Sequence, residues 1–119
     1  MPGGREQFPK SARLRKRPEF LKLSRTGRKF HSAHFIILSG SNDRHETRLG
    51  ITVSSKVGNA VARNRIKRSL REFFRRYRFE LGTGLDFLVI AKTSAAQISS
   101  AEVAEEMRAG LIGSRSRRK

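Results

Sequence analysis

Residues 56–76, KVGNAVARNRIKRSLREFFRR, decide how this chain reads. From Arg63 to Arg78 there are eight basic residues and a single acid, Glu72. Gly58-Asn59 interrupts the preceding pattern, Asn59 suits an N-cap, and Gly82-Thr83-Gly84 marks a stop. The spacing therefore predicts one long helix ending near Leu81. At about 100° per residue, Ala62, Ile66, Leu70, Phe73, Phe74, Tyr77 and Leu81 share one arc, which must face the core. Asn64, Lys67, Arg68, Arg71, Arg75 and Arg78 share the adjoining arc. Arg65, Glu72 and Arg76 lie further round, and Arg63 sits at the apolar border.

A run of charge is usually a solvated face, but solvated faces mix signs because like charges at i,i+4 are mildly unfavourable. Here Arg63, Lys67, Arg71 and Arg75 repeat at that spacing, as do Asn64 and Arg68, with almost no acid to relieve them. That pattern favours a face that binds a polyanion. Arginine predominates, and its planar fork grips phosphate bidentately where lysine cannot. Asn64 is the odd member. It is either a tolerated surface amide or a hydrogen-bonding group for a sugar, a base edge or a metal-bound water.

Outward from the helix, F35-IIL-38 and R48-LGITVS-54 read as two antiparallel strands joined by the polar loop S39-GSNDRHET-47. D86-FLVIAK-92 is apolar nearly throughout, which predicts a central strand. A short helix is predicted over about Pro18–Arg25, with Gly27 as its stop. A last helix places Val103, Met107 and Leu111 on one side, with Ser100 as the expected cap and Glu102, Glu105 and Glu106 in its early turns. Residues 1–12 read as a flexible basic arm and 114–119 as a disordered basic tail, leaving one domain over 13–113. The order of elements is that of a small α+β domain.

The 119 residues carry 27 Lys+Arg against 10 Asp+Glu, a net charge of +17. That balance does not choose a fold, but it selects nucleic acid or an anionic membrane surface as partner. Absence of cysteine excludes disulfides and thiolate metal sites. His31, His34 and His45 show no companion ligand spacing and read as strand-edge or loop residues. The acids are scattered, without the carboxylate cluster that a metal-dependent nuclease needs. MPGGREQFPKSARLRKR lacks the apolar centre of a signal peptide, and no apolar run approaches the ~20 residues of a membrane helix. The expectation is a cytoplasmic protein with no membrane partner.

R63-NRIKR-68, preceded by G58-NAV-61 and followed by Leu70-Arg71-Glu72, closely resembles the signature of the bacterial ribonuclease P protein subunit. R48-LGITVSSK-56, R13-LRKRPEF-20 and D86-FLVIAK-92 are similar to its flanking segments, so the resemblance covers most of residues 13–92. It implies a compact α+β sandwich of order αβββαβα, mostly antiparallel, with a left-handed βαβ crossover where general topology would favour the right hand. It further implies a ribonucleoprotein whose RNA removes the 5′ leader of precursor tRNA with bound Mg²⁺. The small protein, monomeric in that assembly, binds the catalytic RNA and the leader and has no catalytic residue or metal site of its own. Carried over by position, Lys56, Arg63, Asn64, Arg65, Lys67, Arg68, Arg71 and Arg75 are implied RNA contacts. Arg13, Phe20, Phe35, Lys56 and Lys92 are implied to line the leader cleft. A ring such as Phe20 can stack on an unpaired base, although core packing is the reading its residue type alone favours. Ser24 and Leu38 depart from the family pattern, standing where aromatics often line that cleft. The competing reading is a structural ribosomal protein or general RNA chaperone with no processing role. A DNA-architectural protein is a third, which the layout does not demand.

Overall fold

The central strand orders everything else. Leu85–Ala91 (β4) lies between Phe35–Ser41 (β2) and Arg48–Thr52 (β3), with Arg28–His31 (β1) outside β2, so the sheet runs β1-β2-β4-β3. The structure, a computed structural model, describes residues 21–23, 25, 27–42, 46–77, 80–81 and 84–113. The proposed arm, the tail, Arg13, Phe20, Ser24 and Arg78 lie outside the described residues.

β2 pairs antiparallel with β4, matching Phe35 to Ala91 and Leu38 to Leu88. β3 pairs parallel with β4, matching Leu49 to Phe87 and Ile51 to Val89. The two early strands therefore do not form the hairpin that their proximity in sequence suggests. β4 takes the place between them, because its apolar residues on both faces can only be satisfied at the centre of a sheet. The edge strand R28-KFH-31 has little apolar content beyond Phe30 and leaves no strand pattern to read. Arg28 and Lys29 are exposed on it, a charge placement that discourages pairing with another chain.

The helix Ala60–Tyr77 (α1) provides the crossover from β3 to β4. Asn59 caps it as expected, its Oδ1 accepting from the Ala62 N–H at 2.9 Å. It ends at Tyr77, four residues before Leu81, and the chain turns there with the Glu80 and Leu81 N–H groups both donating to the Tyr77 carbonyl. Leu81 still reaches the core, fully buried. Burial requires only that the turn point inward. The helix Ser100–Met107 (α2) is capped by Ser99, not Ser100. Ser99 accepts from the Glu102 N–H, and the Glu102 carboxylate accepts from the Ser99 N–H, a reciprocal capping box.

α1 and α2 cover one face of the sheet. Ile66, Leu70, Phe73 and Phe74 of α1 and Val103 and Met107 of α2 pack with Phe35, Ile37, Leu49, Phe87 and Val89. Each such side chain contributes about 1.5–3 kcal/mol by leaving water. On the other face Leu38 and Leu88 pack with Leu23, from the helical residues 21–23, and with Ile90 at the margin. Gly27 ties this helical piece to the sheet: its N–H donates to the Leu23 carbonyl at 2.9 Å. A Cβ there would lie 2.7 Å from both the Leu23 and the Ser39 carbonyl oxygens, so only glycine permits the approach.

Candidate nucleic-acid interface

α1 presents its basic face to solvent, but the arginines on it are not equivalent. Asn64 and Arg68 are exposed, Lys67 is half-buried at the margin, and none of the three has a side-chain partner among the described residues. Arg71 is also exposed. Val61, one turn before Asn64 and Arg65, is 77% exposed at the start of the same face. Arg75 is held by Glu72, Nη2 donating to Oε2 at 2.5 Å. Arg63 turns back on the loop before the helix, its Nε donating to the Gly58 carbonyl at 3.1 Å. Lys56 is exposed in the same loop.

Arg65, which the signature implies as an RNA contact, turns to the backbone of a neighbouring segment. Its Nη1 donates to the Ile98 carbonyl and its Nη2 to the Ala96 carbonyl, both at 2.9 Å. One turn on, Ser69 Oγ donates to Ser100 Oγ at 2.8 Å. These contacts fasten α1 to the 3-10 segment Thr93–Gln97 and to the start of α2.

The residues implied for a leader cleft divide. Phe35 is fully buried in the helix-side core, so its ring has no free face for a base. Lys92 is half-buried, with Nζ donating to the Ser32 carbonyl at 2.7 Å. Leu38 is buried beneath Leu23. The sheet face opposite the helices carries Lys29 and His31 beside Leu38 and Ile36, in register, and Thr52 beside Ile90. Lys29, His31 and Thr52 are exposed there, with Ile36 and Ile90 half-buried between them. It is a polar-rimmed apolar strip.

Two ion pairs escape a reading of the sequence. Arg48 and Asp86, opposite each other in the parallel register, form a buried bidentate pair with Nε–Oδ1 at 2.9 Å and Nη2–Oδ2 at 2.8 Å. Asn42 Nδ2 donates to the same Oδ1 at 2.7 Å. Arg48 opens β3 and Asp86 is the second residue of β4, opposite charges whose match becomes legible only once the strands are known to be neighbours. The second pair joins α2 to the β1–β2 turn. Glu106 accepts from Ser32 Oγ at 2.5 Å and from the His34 N–H at 3.0 Å, and it contacts His34 Nδ1. Burial works to raise the Glu106 pKa, but the hydrogen bonds from Ser32 and His34 and the His34 charge outweigh it and hold the carboxyl below its ordinary value. Among the described residues no three His, Asp or Glu side chains gather where a metal ion could be held. No helix among the described residues is long and apolar enough to cross a membrane.

A sheet with a parallel crossover through a basic helix, backed by a second helix on the same face, defines a small basic α+β domain. The family model for ribonuclease P matches residues 8–113. The chain is 45% identical over 104 residues to the ribonuclease P protein component of Desulforapulum autotrophicum, covering 87% of this chain and 89% of that one. It is 42% identical, at the same coverage, to that of Citrifermentans bemidjiense. Among solved structures, the Staphylococcus aureus RNase P protein superposes with a TM-score of 0.82 at 30% identity, covering 88% of this chain and 96% of that one. The Thermotoga maritima protein gives 0.77 at 32% identity, with coverages of 85% and 96%. The chain belongs to the ribonuclease P protein family. Its relatives are components of that endoribonuclease, and none of these similarities supports the ribosomal-protein alternative.

Proposed function

We propose that this chain is the non-catalytic subunit of ribonuclease P, acting in the cytoplasm as one copy beside a catalytic RNA. The observation that carries this is the unpartnered face Asn64, Lys67 and Arg68, a surface suited to a phosphate backbone. Hydrolysis of the precursor tRNA 5′ leader falls to the RNA and its Mg²⁺ ions. The contribution of the protein, in this reading, is to bind and position. Ribozyme and precursor tRNA are both polyanions and repel each other. A protein of charge +17 screens that repulsion and lowers the Mg²⁺ needed for docking.

We place the 5′ leader on the sheet face opposite the helices, where Lys29 and His31 stand beside Leu38 and Ile36, with Lys56, exposed in the loop after β3, as a further contact. With Phe35 and Leu38 buried, leader binding there rests on charge and backbone contacts more than on stacking. Reconstitution tests the whole reading. The protein, added to a bacterial ribonuclease P RNA at low Mg²⁺, should stimulate cleavage of precursor tRNA, and Arg68→Ala should lose most of that stimulation. No stimulation by the unmutated protein, or full stimulation by Arg68→Ala, would sink it.

A further inference from the structure

We infer that Arg65 is a positioning residue for the RNA-binding face and not one of its phosphate contacts, an inference that rests on the RNA-binding reading above. The apolar arc of α1 is unevenly distributed. Its large buried side chains begin at Ile66, and the preceding turn offers only Ala62, half-buried, while Ala60 and Val61 are exposed. The first turn is therefore not fixed in rotation by core packing. Of the unpartnered members of the basic face, Asn64 lies between this turn and Ile66, and Lys67 and Arg68 follow directly after Ile66.

Arg65 supplies what packing does not. Its fork reaches sideways to two carbonyls, Ala96 and Ile98, that belong to a segment anchored in the core by Ala95 and Ile98. Two parallel N–H groups on two fixed acceptors resist rotation of the helix as well as translation. A helix turning by about 20° moves a point on its side-chain surface by roughly 2 Å, more than the whole distance range of a hydrogen bond. Losing the tether thus misplaces Asn64 and Arg68 without removing either. Two of the five N–H donors of the guanidinium, one on each Nη, are already committed to these carbonyls.

The test is binding of the full chain to a bacterial ribonuclease P RNA, below the unfolding temperature of every variant as followed by circular dichroism. Arg65→Ala, Arg65→Lys, Arg68→Ala and the Arg65→Ala/Arg68→Ala double variant are compared. Lysine keeps the charge but cannot present two parallel donors, so Arg65→Lys should bind about as weakly as Arg65→Ala, each roughly tenfold below the unmutated protein. Because Arg65 acts through Arg68, its loss should cost only about two- to threefold in the Arg68→Ala background. Recovery of most of the affinity by Arg65→Lys, or fold-losses that simply multiply in the double variant, would show a direct phosphate contact and overturn the inference. So would binding by Arg65→Lys equal to the unmutated protein, a result that holds even where Arg65→Ala fails to fold. No binding by the unmutated protein would overturn the functional reading itself, and this inference with it.

Discussion

Arg48 and Arg68 are the same residue put to opposite uses. Arg48 begins an edge strand, is buried, and has its fork closed on Asp86. Arg68 stands in the middle of a helix, exposed, with no partner among the described residues. A buried guanidinium is retained only with a carboxylate in good geometry, because leaving either partner alone strands an uncompensated charge. An exposed one gains almost nothing for the fold. A helix face that keeps Arg68 exposed beside Asn64 and Lys67, none of the three partnered among the described residues, keeps them for something outside itself. Arg65 lies between the two cases, partly exposed but bound to backbone carbonyls.

The contrast can be broken at several points. Arg48→Ala should be the most damaging, destabilising the fold by about 3–5 kcal/mol in urea denaturation, since Asp86 is left buried without a counter-charge, keeping only the Asn42 amide. A loss within about 0.5 kcal/mol would mean that the pair is not holding β3 against β4. Glu106→Gln comes next, with a loss of about 1–2 kcal/mol as the contacts to Ser32 and His34 weaken. The Glu106 pKa is depressed in the folded state, so its stabilisation is complete above the ordinary value of about 4.5 and disappears as pH falls through the folded value. The difference in stability between the unmutated protein and Glu106→Gln should therefore shrink below pH 4.5. A difference that grows on acidification contradicts the assignment. Asn59→Ala should cost about 1 kcal/mol, because the cap satisfies an otherwise orphaned N–H at a helix end with little core packing. Arg68→Ala should change thermal stability least, by under about 0.5 kcal/mol, while weakening RNA binding the most for its size. An equal loss of stability and binding would make Arg68 a structural residue.

Much of this was legible in the residues. The helix, its Asn59 cap and its two faces follow from a 3.6-residue period, and the central place of β4 follows from an apolar run without alternation. The signature R63-NRIKR-68 points to the family by itself. What stayed hidden depends on which segments become neighbours. β4 inserted between β2 and β3 converts an apparent hairpin into a mixed sheet, and only that insertion brings Arg48 to Asp86. Arg65 reads as one more basic side chain until the segment 96–98 is known to pass beside it. Phe35 illustrates the same limit, its sequence position fitting a cleft and its register fitting the core. The Ser99 cap was a different kind of miss. Ser99 and Glu102 already stand at capping-box spacing in the sequence, and that local signal is stronger than the one offered by Ser100.

The central claim is that the protein positions and the RNA cuts. Its most direct test is the rate of leader removal from precursor tRNA with RNA alone, protein alone and both together, across a series of Mg²⁺ concentrations. The account predicts no cleavage by the protein alone and a benefit from the protein that is largest at low Mg²⁺ and fades as Mg²⁺ rises. Cleavage by the protein without RNA, or a benefit equal at low and high Mg²⁺, would contradict it.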